Sequence, residues 1–375
     1  MATRSRAAID TRKFRTFWSE PSMVDMTRWA ALGFVFALAA AILAACGGSA
    51  AMAPTAASPA VDPVVADPAP SRNTEPPPSK ELVEGIKAFD AGQYPEARSL
   101  FEAAVKKNKA DYEALYNLGM ASEKVGDKAA AEAAYQSALE TKPDLDTASA
   151  ELSALYIDEG RADVAITVAR AGLAKHPGSA ALHENLGVAL AARDEADEAT
   201  RELEAAIQIT PADPMLQLTL AHWLNVWHVR GAAPHLEAAR ARAKGDYGLI
   251  ASVGHEYRMA GEFDSCVQTF DSAIAIRDGG EVRTERALCR LGLKDEPGTL
   301  DDLQAAVDKE PTYAPAHYYL GGRLATAGRF KDAAAEYAKY LELEPGGSLA
   351  KPARDRLKAT RDAMSKQRGA AAKKK

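Results

Sequence analysis

Residues 112–143 read YEALYNLGMASEKVGDKAAAEAAYQSALETKP, and their spacing decides the fold. On both sides of Gly126-Asp127 the apolar side chains return at helical spacing, not with the alternation of a strand. Gly126 suits the left-handed backbone conformation that ends a helix. Pro143 cannot continue the second helix and stops it. Gly119 and Ala131 are small enough to let two helices approach closely, and Tyr135 fills the space beyond them. The stretch predicts a helical hairpin.

Outward from this stretch the pattern repeats in both directions. Small residues recur at Gly85, Gly119, Ser153, Gly187, Ala221, Gly254 and Gly321, in steps of 34, 34, 34, 34, 33 and 67 residues. A second series runs through Ala97, Ala131, Ala165, Ala199, Cys266 and Ala333. Bulky residues follow four positions after most of these, at Phe101, Tyr135, Leu203, Phe270 and Tyr337. Pro143, Pro177, Pro211, Pro311 and Pro345 close repeats, and Gly92, Gly160, Gly261 and Gly328 share the turn position of Gly126. Several independent series with one such period mark stacked hairpins, each burying its apolar face against its neighbours. Eight repeats fit: 78–111, 112–145, 146–179, 180–213, 214–246, 247–279, 280–313 and 314–347. Residues 348–375 supply a polar-faced capping helix and a basic tail.

Two repeats depart from the pattern. In the fifth, the turn glycine falls at Gly231, three residues late, and the closing proline is missing. In the seventh, the strict register would bury Arg283, Arg286 and Arg290 without partners, which costs roughly several kcal/mol. Taking Gly292 as the turn glycine exposes them and adds two residues to the turn, so the shifted register is expected.

These repeats resemble the tetratricopeptide repeat, closely in five or six units and loosely in the fifth and seventh. The resemblance implies an all-α, right-handed superhelical solenoid of about eight helical hairpins with a C-terminal capping helix. It also implies a concave groove in which the first helix of each hairpin holds an extended peptide or a partner helix. Carried over by position, the groove residues are Leu82, Ile86, Tyr116, Met120, Glu123, Glu184, Val188, Leu218, His222, His255, Arg258 and Met259. Arg286 and Arg290 join them if the shifted register holds. The family's Lys/Asn clamp for a C-terminal carboxylate is absent. Around His222, His255, Arg258 and Arg286 the groove reads as weakly basic, which suits an acidic or carboxylate-ended segment, with ordinary surface polarity as the plainer alternative.

Ahead of the repeats, MTRWAALGFVFALAAAILAAC (26–46) has a short basic start, an apolar segment and small residues, the three parts of a secretory signal. The apolar run is short for a bilayer span, which needs about 20 residues. Leu43-Ala44-Ala45-Cys46 resembles the bacterial lipobox, whose cysteine carries the lipid of an anchored envelope protein. Residues 1–45 are then the signal, with Met23 or Met26 as a candidate true start. Residues 46–77, rich in Ala, Pro and Ser without an apolar period, read as an extended tether. Gly47 is not the aspartate that marks inner-membrane retention, so the resemblance points to the inner leaflet of the outer membrane, facing the periplasm.

Charge and chemistry narrow the function. The net charge of −6 is distributed as +3 over residues 1–45, +8 over 351–375 and −17 between. An acidic body argues against nucleic acid as the partner. Residues 351–375 read as a solubilising end or as a surface for an anionic lipid or polymer. The seven histidines form no HExxH and no i, i+4 pair; only His222, His228 and His235 cluster, and a metal site there is the weaker reading. No nucleophile elbow, phosphate loop or dinucleotide fingerprint stands in strand context, so no enzyme is expected. Cys266 sits where sister repeats have Ala and reads first as a small buried thiol; a disulfide to Cys289, on a helix that packs nearby, is the alternative in an oxidising compartment. Trp223 and Trp227 continue an apolar stripe and read as core, with an aromatic platform for a ligand as the alternative.

Together these features resemble bacterial lipid-anchored tetratricopeptide-repeat proteins of the envelope. They imply a scaffold that binds envelope proteins through peptide or helix segments and holds the membrane through lipid on Cys46, with no other cofactor. An assembly factor for one outer-membrane machine, of pilotin, secretion or motility type, is the narrower alternative.

Overall fold

The computed structural model describes residues 78–372, with side chains through Gln367; the signal segment, Cys46 and the tether lie outside the described residues. The described chain is helical throughout, without strands. Hairpins one to four are α1 (Lys80–Asp90) with α2 (Tyr94–Lys107), α3 (Tyr112–Lys124) with α4 (Lys128–Thr141), α5 (Asp146–Asp158) with α6 (Ala162–Leu173), and α7 (Ala180–Ala191) with α8 (Ala196–Ile209). Hairpins five to eight are α9 (Pro214–Val226) with α10 (Ala232–Arg242), α11 (Tyr247–Met259) with α12 (Phe263–Ile276), α13 (Gly280–Gly292) with α14 (Glu296–Lys309), and α15 (Ala314–Thr326) with α16 (Phe330–Leu343). Helix α17 (Ala350–Ala372) closes the stack against α16. The architecture is an all-α repeat solenoid.

Local chemistry sets the helix ends. Asp111 accepts from the Ala114 amide at 3.0 Å and Asp127 from the Ala130 amide at 3.1 Å, so one aspartate starts each helix of the second hairpin. Between them Gly126 turns the chain at φ 85°. Inside the hairpin Gly119 lies against the Tyr135 ring, where any Cβ would collide. Phe101, Tyr135, Leu203, Phe270 and Tyr337 are each at most 2% exposed. Burial of one such side chain contributes about 1.5–3 kcal/mol, so each of these five hairpins is held by its own bulky residue. Trp223 is also buried and stacks on the half-buried Trp227, ring centroids 5.6 Å apart, as core.

Both divergent repeats keep the common register, against expectation. In the fifth, His228 takes the left-handed turn position at φ 56°, and Gly231 instead caps the start of a shortened α10. In the seventh, Lys294 takes that position at φ 62°, and Gly292 lies inside α13 against the Phe263 ring. Strict register does bury much of the three arginines, but not unpaired. Asp302 of α14, only 2% exposed, lies 3.6 Å from Arg283, 2.5 Å from Arg286 and 3.0 Å from Arg290. The shifted register loses its reason once this carboxylate faces them.

At most junctions the first helices of neighbouring hairpins pack on one another, whereas no second helix packs comparably on the next. The first helices therefore occupy the shorter, inner arc of the stack.

Candidate functional site

On the inner arc each first helix presents its exposed side to the same surface, and side chains bridge from one first helix to the next. Asn185 of α7 donates to the Ala150 carbonyl of α5 at 2.8 Å and to the Ser153 hydroxyl at 2.9 Å. Between α9 and α11, His222 Nδ1 lies 3.2 Å from Glu256 Oε1, and Asn225 donates to Oε2 at 2.7 Å. From α11 to α13, Arg258 donates to Glu285 at 3.0 Å, with His255 Nδ1 3.7 Å from the same carboxylate. These bridges form a polar ladder along the inner face.

The ladder corrects the basic patch expected there. His222 faces Glu256, which is 1% exposed, and His255 and Arg258 converge on Glu285. Burial alone pushes the Glu285 carboxyl up, but His255 and Arg258 outweigh it and hold the group below the ordinary glutamate value. Arg258 is thus ion-paired from within, and an acidic segment would have to displace Glu285 to use it. Arg286 and Arg290 leave the face altogether: they point to Asp302 of their own hairpin. Leu82 and Leu218, each 1% exposed, are core residues and present nothing to a partner.

The remaining inner residues stay reachable. Val83 and Ile86 are 38% and 39% exposed, and Met259 is 53% exposed. Tyr116, Met120 and Val188 are partly buried against the core. Glu123 accepts from the Tyr135 hydroxyl at 2.7 Å. Burial pushes the Tyr116 hydroxyl well above its ordinary value, and the Glu151 charge adds to this. The Glu184 carboxyl is pushed up to about 7 by burial, then by the nearby Asp213 charge, with Thr219 opposing.

The three clustered histidines separate. His222 meets Glu256, His235 Nδ1 lies 2.7 Å from Gln217 Oε1, and His228 sits exposed in a turn. Cys266 and Cys289 are both fully buried, with Cα atoms 6.0 Å apart, a span that a disulfide bridges.

Some interactions escaped the sequence reading. His183 Nδ1 lies 2.6 Å from Glu202 and His317 Nδ1 lies 2.6 Å from Glu336, in each case 19 residues apart. Arg283 and Asp302 stand at the same two positions of the seventh repeat. A polar pair recurring at one spacing was the available signal. Glu256 and Glu285 gave no such signal, because their partners lie on another repeat.

A helical solenoid with a laddered inner face is the class of molecule this geometry defines. The tetratricopeptide repeat family model matches residues 82–146, 152–214 and 300–348, so the chain carries tetratricopeptide repeats there. The stretch 215–299 between matches holds the turns with His228 and Lys294 and also the sixth repeat. The DnaJ protein P58IPK homolog A of Oryza sativa subsp. japonica is 32% identical over 85 residues, which is 23% of this chain. The match spans 18% of that protein's length. Among solved structures, MamA from Desulfovibrio magneticus RS-1 is similar at 19% identity and TM-score 0.41, covering 44% of this chain and 97% of that one. A tetratricopeptide repeat protein from Parabacteroides merdae is similar at 17% identity and TM-score 0.43, covering 75% and 97%. Yeast Tom70 is similar at 14% identity and TM-score 0.47, covering 80% and 66%.

Proposed function

We propose that the protein is a lipid-anchored adaptor of a bacterial cell envelope. Cys46 carries the lipid, residues 46–77 give reach, and the inner face of the solenoid holds a segment of a partner protein. The observation that carries this reading is the inner face itself. Ile86, Met120, Val188 and Met259 stay reachable on the first helices of hairpins one, two, four and six, with polar bridges from α5 to α7 and from α11 to α13 along the same face. An extended segment or helix crossing the first helices can bury apolar side chains at several repeats. The matched repeats support a protein-binding scaffold. Leu43-Ala44-Ala45-Cys46, behind its apolar run, supports the anchor and a periplasm-facing site at the outer membrane. Fixing the scaffold to one membrane raises its effective concentration for partners in that compartment. In this reading the chain performs no catalytic step of its own.

Crosslinking in intact envelopes tests it, with the full chain compared against an Ile86→Ser, Met120→Ser, Met259→Ser variant. A discrete set of envelope proteins should be captured by the wild type and lost from the variant. A set that survives the variant would remove the inner face as the working surface. A chain that takes up no fatty-acid label at Cys46 would remove the anchor.

A further inference from the structure

We propose that the exposed side of helix α17 is an electrostatic docking surface for the headgroups of an anionic lipid bilayer. The proposal goes beyond the adaptor reading and does not depend on acylation of Cys46.

The helix has two parallel stripes. Ala350, Ala353, Leu357 and Thr360 are buried, at the spacing that follows one side of a helix. One position after each comes Lys351, Arg354, Lys358 and Arg361, all exposed, so the cations line the neighbouring stripe in the same rhythm. Lys366 continues the exposed side one to two turns on.

What sets these cations apart is that five of them stand on one side of a single helix without a carboxylate partner. In the repeats Arg98, Arg161, Arg170, Arg193, Arg323 and Arg329 each meet a carboxylate, whereas among the described residues the exposed Arg201, Arg230, Arg242 and Arg277 form no ion pair. On α17, among the described residues, none of Lys351, Arg354, Lys358, Arg361 and Lys366 meets a carboxylate. Arg354 donates only to the Pro345 carbonyl at 3.3 Å, and Arg356 lies over the Tyr318 ring, 4.9 Å from its centroid. Residues 351–375 carry ten Lys/Arg against Asp355 and Asp362, while the body before them carries −17.

The charge separation selects the occupant. An anionic surface attracts this end and repels the body, so contact is confined to the end of the stack. Residues 350–375 hold no aromatic side chain on which a base could stack. Five cations on one side of the helix, outnumbering Asp355 and Asp362 there, match a flat, fluid layer of phosphate headgroups, which needs no shaped pocket. Leu357 is turned inward, so the contact is adsorption at headgroup level, not insertion.

The test is vesicle flotation with the full chain carrying Cys46→Ser, so that no lipid anchor can hold it to every vesicle alike. Vesicles of phosphatidylcholine alone are compared with vesicles containing about 30% phosphatidylglycerol. The anionic vesicles should recover roughly tenfold more protein or better, a preference that shrinks as salt rises from about 0.05 M to about 0.3 M. Adding Lys351→Gln, Arg354→Gln, Lys358→Gln, Arg361→Gln and Lys366→Gln should abolish most of that preference with an unchanged thermal melt. Basic residues near the N-terminus are common to both proteins and cancel. Equal recovery by both vesicles, or a preference that survives the five substitutions, would overturn the proposal. So would capture by soluble polyphosphate without capture by the anionic vesicles.

Discussion

Asp302 accepts two hydrogen bonds from the guanidinium of Arg286, at 2.9 and 2.5 Å, from a position only 2% exposed. Arg283 and Arg290 draw on the same carboxylate, so one buried anion is shared by three cations across the seventh hairpin. Removing the anion leaves those charges in a low-dielectric interface. Asp302→Ala should destabilise the hairpin by about 3 kcal/mol, the lower end for a broken buried pair. The lower end applies because Arg286 keeps Asp271 at 2.6 Å and Arg283 keeps Asp278 at 2.5 Å. Repeat arrays open locally, so amide exchange across α13 and α14 is the measurement. Unchanged protection in that hairpin would show that Asp302 is dispensable.

His317 supplies a pH dependence. Its Nε2 lies 2.9 Å from the Pro311 carbonyl and its Nδ1 2.6 Å from Glu336, and both partners can only accept. A ring with both nitrogens protonated satisfies both. Burial works against that charge and Lys339 adds a little, but Glu336 and the Pro311 carbonyl outweigh them, so the value is raised above 6.5. Below the unfolded value the bridge contributes fully; as pH climbs through the higher folded value the contribution is lost. Unfolding midpoints taken at pH about 6 and about 9 should fall more for the wild type than for His317→Gln. Parallel slopes would refute the assignment.

Glu184 acts with the same sign from a different cause. Its carboxyl is raised from 4.5 to about 7, so the folded chain holds a proton there that the unfolded chain releases. Stability therefore declines as pH rises between those two values and stays at the lower level above them. Glu184→Gln keeps the uncharged form, and at pH about 8 it should be more stable than the wild type by roughly 1–3 kcal/mol, with little difference near pH about 4. A variant less stable at every pH would mean that the ionised carboxylate is held by contacts on the inner face.

A disulfide between Cys266 and Cys289 is a prediction of the same kind. The two are 23 residues apart, and closing a loop of that size contributes about 3 kcal/mol. In protein from an oxidising compartment, both should resist alkylation in denaturant until a reductant is added. Cys266→Ala isolates the effect of the bond, because Ala97, Ala131, Ala165, Ala199 and Ala333 fill the same position elsewhere. Full alkylation without reductant would leave two thiols, donating to the carbonyls of Gly254 at 3.2 Å and Glu285 at 3.1 Å.

The hairpins were legible because Gly119, Ala131 and Tyr135 constrain one another within a single repeat, and the same constraint recurs at a fixed period. Interactions between repeats were not. Glu256 faces His222, and Glu285 faces His255 and Arg258, from the next first helix, and that neighbour relation exists only once the stacking geometry is known. Arg283, Arg286 and Arg290 misled for a related reason. An arginine at an apolar position reads as a register error unless its anion is identified, and Asp302 lies on the opposite helix. The recurring pairs His183–Glu202 and His317–Glu336 mark those two positions as a polar contact, so the clue was in the sequence without its geometry.

The register of the seventh repeat can be tested with two substitutions of opposite sign. Lys294 holds φ 62°, a conformation that disfavours every residue with a Cβ, so Lys294→Gly should stabilise the turn by up to about 1 kcal/mol. Gly292 lies in α13 against the Phe263 ring with no room for a methyl, so Gly292→Ala should destabilise by about 1–3 kcal/mol. Under the shifted register the first prediction fails. Gly292 would itself hold the left-handed turn, and Lys294 would sit in ordinary backbone where a glycine only adds disorder to the unfolded chain. Urea midpoints of the two variants therefore decide between the registers. A stabilised Lys294→Gly is compatible only with the strict one, because nothing in the shifted arrangement asks residue 294 for a positive φ.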